Sequence, residues 1–153
     1  MKFATGLVSI LALATSAFAL PVETETTQDV TFGLVTIHSG SPIQYATVYL
    51  DDTRALTLGP AGTPFVGHYN KADGTIKTDA GNYLQPAPEG SGHALTTWNR
   101  PAPGWTITDS GDLAYNGAQA ALACPRQNGV YDLYWAADGY SCTNGIGVVL
   151  HTA

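Results

Sequence analysis

The sequence predicts an all-β protein, and three observations support that prediction. Apolar residues alternate with polar ones, or form short runs rich in Val, Ile, Thr and Tyr, as is typical of strands. Turn signals such as Asp73-Gly74, Ser110-Gly111-Asp112 and Asn128-Gly129 separate these runs. No stretch of the chain beyond its first residues has a convincing helical period. Short strands with frequent turns favour a single compact antiparallel β-barrel, with a β-sandwich as the alternative.

The clearest predicted strands are short and spread over the whole chain after its first 29 residues. They cover residues 30–37 (VTFGLVTI), 43–50 (IQYATVYL), 65–69, 94–98, 105–108, 130–135 (VYDLYW) and 146–151 (IGVVLH). Residues 116–123 (NGAQAALA) have a helix-forming composition but are short enough to form a strand equally well.

A weak internal repeat refines the barrel prediction. Gly74-Thr75-Ile76 and Gly111-Asp112-Leu113 are 37 positions apart, and Phe65 and Trp105 precede the two copies. An aromatic strand, a glycine turn and an apolar strand form one unit of a β-trefoil. A trefoil-like barrel is therefore one of the arrangements that the sequence predicts, although a glycine-rich all-β chain can show such coincidences.

The N-terminus has the three parts of a secretory signal peptide. Lys2 provides the positive charge, residues 6–14 (GLVSILALA) form the apolar segment, and Ala17-Phe18-Ala19 is a small-x-small cleavage signal. The apolar run is too short for a membrane span and no stop-transfer charges follow it. We therefore predict a signal peptide at 1–19, a flexible acidic arm at 20–29 and a single all-β domain at 30–153. The mature protein is expected to be extracellular and not inserted in a membrane.

The cysteine content agrees with export. Cys124 and Cys142 are the only two cysteines, and an oxidising compartment should join them in a disulfide. Their separation of 18 residues corresponds to about 3 kcal/mol of stabilisation in the chain-entropy treatment. Two cysteines alone do not make a zinc site.

Charge and motifs exclude several function classes. The chain has 6 Lys and Arg against 12 Asp and Glu, a net charge of −6, which argues against nucleic acid as a partner. The four histidines show no metal-ligand spacing, and no Gly-x-Ser-x-Gly elbow is present. The pairs Asp51/Asp52 and Asp109/Asp112 lie at turns and nominate no glycosidase pair. We therefore expect no catalytic residues, no metal and no cofactor.

Aromatic residues are the remaining candidates for a binding site. Trp98, Trp105 and Trp135 could form a flat platform for sugar rings, because indole offers an apolar face and one polar edge. The alternative for each tryptophan is packing in the core or at the barrel rim. Trp98 is the best surface candidate, since the Asn-Arg-Pro-Ala-Pro-Gly segment that follows it must be a loop.

Both ends of the mature chain resemble a known family. The residues are Thr31-Phe32-Gly33-Leu34, Ser41-Pro42-Ile43, Ala123-Cys124-Pro125, Tyr131-Asp132-Leu133-Tyr134-Trp135 and Cys142 before an apolar last strand. In order and spacing they resemble the secreted fungal family of phialide-type cell-wall proteins, which includes hypersensitive-response-inducing elicitors of plant-pathogenic ascomycetes. The resemblance covers about half of the mature chain, and residues 51–104 contribute little to it.

The resemblance implies a compact, β-rich, non-enzymatic protein of the fungal wall or culture fluid. It further implies virulence-related activity as an elicitor of plant cell death and defence, with a plant cell-surface component or a fungal wall glycan as partner. The absence of Asn-x-Ser/Thr sites and of a wall-attachment repeat favours a freely secreted elicitor over a firmly anchored wall protein. The alternatives are a carbohydrate-binding cell-wall module and a small secreted hydrolase or inhibitor.

Overall fold

A computed structural model describes residues 29–87 and 92–153 of the chain. The predicted signal peptide at 1–19 and all of the predicted arm except Asp29 lie outside the described residues. The described part contains fourteen strands and one short 3-10 turn at Gln127–Gly129. The strands are β1 (Val30–Phe32), β2 (Leu34–Ile37), β3 (Val48–Leu50), β4 (Leu56–Leu58), β5 (Thr63–Pro64), β6 (Gly67–Asn70), β7 (Thr75–Thr78), β8 (Tyr83–Gln85), β9 (Thr96–Trp98), β10 (Trp105–Ile107), β11 (Leu113–Tyr115), β12 (Ala121–Pro125), β13 (Tyr131–Trp135) and β14 (Ile146–Thr152).

The strands form two main antiparallel sheets and one hairpin. The five-stranded sheet has the order β1-β6-β7-β8-β9, and the seven-stranded sheet has the order β2-β14-β12-β13-β4-β3-β5. β10 and β11 form the separate hairpin. The predicted all-β antiparallel class is confirmed. In the part of the chain that the structure describes, no helix is long and apolar enough to cross a membrane.

The seven-stranded sheet curls into a half-barrel. Its first strand, β2, approaches β3 near the opposite edge through an antiparallel bridge between Val35 and Thr47. The Thr36 amide also donates to the Ala46 carbonyl at 3.0 Å, beside this bridge. β5 occupies the remainder of the β3 edge, so that this edge is paired along its length.

One core serves all three groups of strands. Fully buried side chains come from the seven-stranded sheet (Leu34, Val48, Leu133), the five-stranded sheet (Ile76, Leu84) and the hairpin (Trp105, Leu113). The two sheets therefore enclose a common apolar interior, and burial of these side chains is the main source of stability.

Three local predictions differ from the structure in informative ways. The predicted strand at 30–37 is split at Gly33, whose amide and carbonyl pair with Ala153, and its halves belong to different sheets. In the predicted strand at 43–50 only Val48–Leu50 is extended, because the preceding segment turns at Tyr45, which has a φ of 59°. The segment 116–123 contains no helix, and its end begins β12.

The 37-residue repeat corresponds to two hairpins. Gly74 lies in the turn between β6 and β7 and Gly111 in the turn between β10 and β11, with φ values of 68° and 88° that favour glycine. The two hairpins lie in different sheets, and the strand order does not repeat in three four-stranded units. The echo thus reflects two similar turns, and the trefoil-like arrangement is not the one observed.

The predicted disulfide between Cys124 and Cys142 is confirmed, with a Cα–Cα distance of 6.0 Å. Cys124 lies in β12, and Cys142 lies in the connection between β13 and β14. The bridge therefore fastens a long surface connection to a central strand of the half-barrel.

A polar cluster joins the β10–β11 hairpin to the last strand. Asp112 Oδ1 lies 2.9 Å from Nδ1 of His151, and Ser110 donates to Asp112 Oδ2 at 2.7 Å. The pKa of Asp112 lies below its ordinary value, first because of the hydrogen bond with His151 and then because of the one from Ser110, while burial opposes the shift. The ionised carboxylate is thus the form that holds the hairpin.

Asp112→Asn should reduce stability in a pH-dependent way. A carboxyl whose pKa is lowered by folding contributes stability above its unfolded pKa, about 3.9, and loses it as the pH falls through the folded pKa. The variant should therefore unfold at lower urea concentration than the wild type at pH 5–7, and the two midpoints should converge below about pH 4. Asp109→Asn, at an exposed carboxylate in the same turn, is the control. An equal difference at all pH values would contradict this account.

Candidate glycan-binding face

One face of the five-stranded sheet carries a continuous row of outward side chains. Residues directly opposite each other in paired antiparallel strands point to the same face, and the register aligns one residue from each strand. The row runs Thr31, His68, Lys77, Tyr83, Trp98 across β1, β6, β7, β8 and β9. Neighbouring positions such as Phe32, Tyr69, Ile76 and Leu84 point inward and are buried. We call these five outward residues the polar-aromatic row.

Trp98 is the most prominent member of the polar-aromatic row. It ends the edge strand β9, and 49% of its surface is exposed. Its cross-strand neighbour Tyr83 is half-buried. An exposed indole beside a phenol on a flat sheet provides an apolar surface with polar edges, which suits the faces of sugar rings.

Hydrogen bonds fix the backbone around Trp98. The Gln85 side-chain amide donates to the carbonyl of Arg100, which holds the segment that follows β9. The amide of Thr97 donates to the Arg54 carbonyl at 2.9 Å on the other side of β9. Ala102 is buried and anchors the same segment. Trp98 therefore projects from an ordered support, which limits the ordering cost of binding.

Polar contacts also hold the opposite end of the polar-aromatic row. The His68 ring lies 3.0 Å from Thr31 Oγ1 through Nδ1 and 2.5 Å from Asp79 Oδ1 through Nε2. Between the two ends, the Lys77 ammonium lies 5.6 Å from the centroid of the Tyr83 ring. The row thus combines two aromatic rings with an amine, an imidazole and a hydroxyl.

Trp105 and Trp135 do not share this surface, so the structure does not bring the three tryptophans together in the platform considered from sequence. Trp105 is 0% exposed and Trp135 is 4% exposed. Their rings pack edge to face at 5.3 Å, and the Trp105 indole donates to the Leu84 carbonyl at 3.1 Å. Both lie at inward positions of their strands, which explains their burial. Of the three tryptophans, Trp98 is the exposed one.

Apart from the polar-aromatic row, a concavity of about 400 Å³ lies beyond the end of β8. Tyr115 and Trp135 line it, with His93 and Asp138 also on its wall. His93 Nδ1 lies 3.3 Å from Asp138 Oδ1, and the His93 ring stacks on Tyr140 at 4.4 Å. Tyr115 packs on the buried ring of Trp105 at 4.8 Å. This wall is thus largely supported by core aromatics.

Another concavity, of about 370 Å³, contains two carboxylates, Asp51 and Asp132, whose proximity sequence reasoning missed. Arg126 hydrogen-bonds to Asp132 and lies 3.9 Å from Asp51 Oδ2. Asp51 Oδ1 already accepts from the amide and hydroxyl of Thr53 and from the Ala55 amide. Asp51 therefore stabilises the turn between β3 and β4, and Asp132 forms an ion pair with Arg126. Only the β4–β13 pairing brings residues so distant in sequence together.

Burial and nearby charge shift the pKa of Tyr134, which lines the concavity of about 370 Å³. The pKa of Tyr134 is raised, first by burial and then by the Asp132 carboxylate and Tyr140, while Arg126 opposes the shift. Tyr134 stacks on Tyr140 at 5.2 Å. Tyr134 is therefore a neutral hydrogen-bonding group.

Within residues 29–87 and 92–153, no three His, Cys, Asp or Glu side chains are grouped closely enough to hold a metal ion.

Comparison with known proteins gives one distant relative. The chain is 29% identical over 160 residues to an uncharacterized but2-like protein of Schizosaccharomyces pombe, a match that covers 98% of this chain and 41% of that protein. The chain thus spans about two-fifths of the length of this curated relative. No family model and no solved structure matches the chain.

Proposed function

We propose that this protein is a secreted, non-enzymatic fungal protein that binds glycans of the cell wall or of the host interface through the polar-aromatic row. The observation that carries the proposal is Trp98, which is 49% exposed at the end of an edge strand beside Tyr83. A large aromatic side chain on a fixed support, beside a second aromatic ring, offers a stacking surface for a sugar ring. The remaining row residues supply polar partners for sugar hydroxyls.

Several observations support the extracellular part of the proposal. The N-terminal sequence has the form of a signal peptide, and the Cys124–Cys142 disulfide is compatible with an oxidising compartment. The resemblance of both chain ends to phialide-type wall proteins supports a fungal wall or culture fluid as its location, and the relative from Schizosaccharomyces pombe supports a fungal origin.

Glycan binding is tested by retention on insoluble β-glucan and chitin. Trp98→Ala should lower retention of the secreted protein at least about five-fold, because removal of a key aromatic contact commonly costs more than 1 kcal/mol. Tyr45→Asn is the matched control, since Tyr45 is 69% exposed but lies in the β2–β3 loop, away from the five-stranded sheet. Asparagine tolerates the positive φ at this position.

Near-ultraviolet circular dichroism should show that both variants are folded. Retention of Trp98→Ala equal to that of the wild type, on a polysaccharide that the wild type binds, would refute the assigned face. A wild type that binds none of β-glucan, chitin and the acidic polymer polygalacturonate would refute the glycan-binding function itself.

The elicitor activity expected from the family resemblance remains part of the proposal. A secreted protein that binds glycans at the host interface is well placed to be sensed by plant cells. Infiltration of purified protein into leaves should cause necrosis or a defence burst at micromolar concentration. A leaf response to the protein no greater than the response to buffer would refute the elicitor activity and leave the glycan-binding proposal intact.

A further inference from the structure

The centre of the polar-aromatic row holds a cation, Lys77. Lys77 is exposed on β7, and its ammonium lies 5.6 Å from the centroid of the Tyr83 ring. Among the described residues its ammonium has no carboxylate within ion-pair distance, whereas Arg126 is paired with Asp132 and Asp51. The contact with Tyr83 places the charge beside the aromatic surface and leaves the ammonium open to a further partner.

The surroundings of Lys77 differ in charge from the rest of the protein. Residues 67–87 and 92–100, which include β6 to β9, carry three cations, Lys71, Lys77 and Arg100, against two carboxylates. The rest of the described chain carries two cations against seven carboxylates. Among the described residues, the part of the chain that carries the row is therefore less acidic than the rest.

The two carboxylates of this region are already engaged. Asp73 Oδ1 accepts from the amide and the hydroxyl of Thr75, at 3.0 and 2.6 Å. Asp79, which follows Lys77 by two residues on the same face, is bound to the His68 ring. Asp79 weakens the positive potential near Lys77 but does not quench it by direct pairing.

From this placement we infer that the glycan recognised by the row carries carboxylates, as in a polymer of uronic acids; the inference rests on the proposed function. Lys77 and Trp98 lie on strands separated only by β8, which sets their backbones roughly 10 Å apart. A chain of sugars laid across the strands contacts both residues. Trp98 stacks on a sugar ring, and Lys77 pairs with the carboxylate of a neighbouring unit.

The test compares two polymers with the same sugar backbone, one charged and one neutral. Polygalacturonate carries a carboxylate on each unit, and its fully methyl-esterified form has the same backbone without the charge. The wild-type protein should bind polygalacturonate about three-fold more tightly, the size expected of one exposed charge pair. Added salt should reduce this preference, because it screens the pair.

Two variants of opposite direction make the test specific. Lys77→Gln should abolish the preference, so that binding to polygalacturonate falls to the level that the same variant shows with the esterified polymer, and Asp79→Asn should increase the preference. Trp98→Ala should weaken binding to both polymers. Equal wild-type binding to both polymers, or a preference that survives Lys77→Gln, would overturn the inference. The proposed function would still stand if Trp98→Ala weakened binding to both polymers. Absence of binding to these polymers, to β-glucan and to chitin would overturn both.

Discussion

Trp105→Ala should lower the free energy of unfolding by about 3–5 kcal/mol, the usual cost of removing a large aromatic side chain from a core. Trp105 is 0% exposed and packs against Trp135 and Tyr115 at 5.3 and 4.8 Å. Its truncation leaves a cavity that rigid β-sheets cannot close, and it leaves the Leu84 carbonyl without the indole donor. The effect is large because one side chain links the hairpin to both sheets.

Urea unfolding followed by circular dichroism measures this effect. Trp98→Ala is a control with identical chemistry at an exposed site, and it should change stability by less than about 1 kcal/mol. Trp105→Phe should have an intermediate effect, because it keeps most of the ring volume but loses the hydrogen bond to Leu84. Equal effects of Trp105→Ala and Trp98→Ala would contradict the placement of the two residues.

Replacing both Cys124 and Cys142 with alanine should lower stability by about 3 kcal/mol, as expected when an 18-residue loop is no longer closed in the unfolded chain. The bridge spans β13 and joins the β13–β14 connection to β12. Cys124 is buried but small, so that its replacement by alanine adds little packing loss. The entropic cost of the open connection therefore dominates the expected effect.

The double variant and the reduced wild type should agree. Dithiothreitol should shift the urea midpoint of the wild type to that of the double variant and leave the double variant unchanged. Overlapping curves for the oxidised wild type and the double variant would show that the bridge does not stabilise the fold.

The sequence predicted the fold class because strand signals are local. Alternation and β-branched content identified β13 and β14 almost to the residue, and the two cysteines predicted their own pairing. The sheet order was not predictable from local pattern. Gly33 illustrates this, since its pairing with Ala153, 120 positions away, assigns β1 and β2 to different sheets.

Trp98 is the only residue of the candidate site that the sequence predicted. The loop after Trp98 indicated a surface position, and Trp98 is exposed. The pattern within the strands themselves does not separate Trp98 from Trp105 and Trp135, because burial depends on which face of a strand meets the core. Lys77 and Tyr83 join the same row through the β7–β8 and β8–β9 register, which no short-range pattern reveals.

Ligand protection of Trp98 tests glycan binding by this face most directly. Of the three tryptophans, Trp98 is 49% exposed and the others are at most 4% exposed, so acrylamide should quench one fluorescent class in the free protein. Soluble oligomers of β-glucan, chitin and galacturonate are the probes. We predict that the oligomer of the polysaccharide that retains the protein shields Trp98 from acrylamide, and that Trp98→Ala lacks both the quenched class and the shielding. A bound oligomer that leaves the quenching of Trp98 unchanged would contradict the assignment of this face.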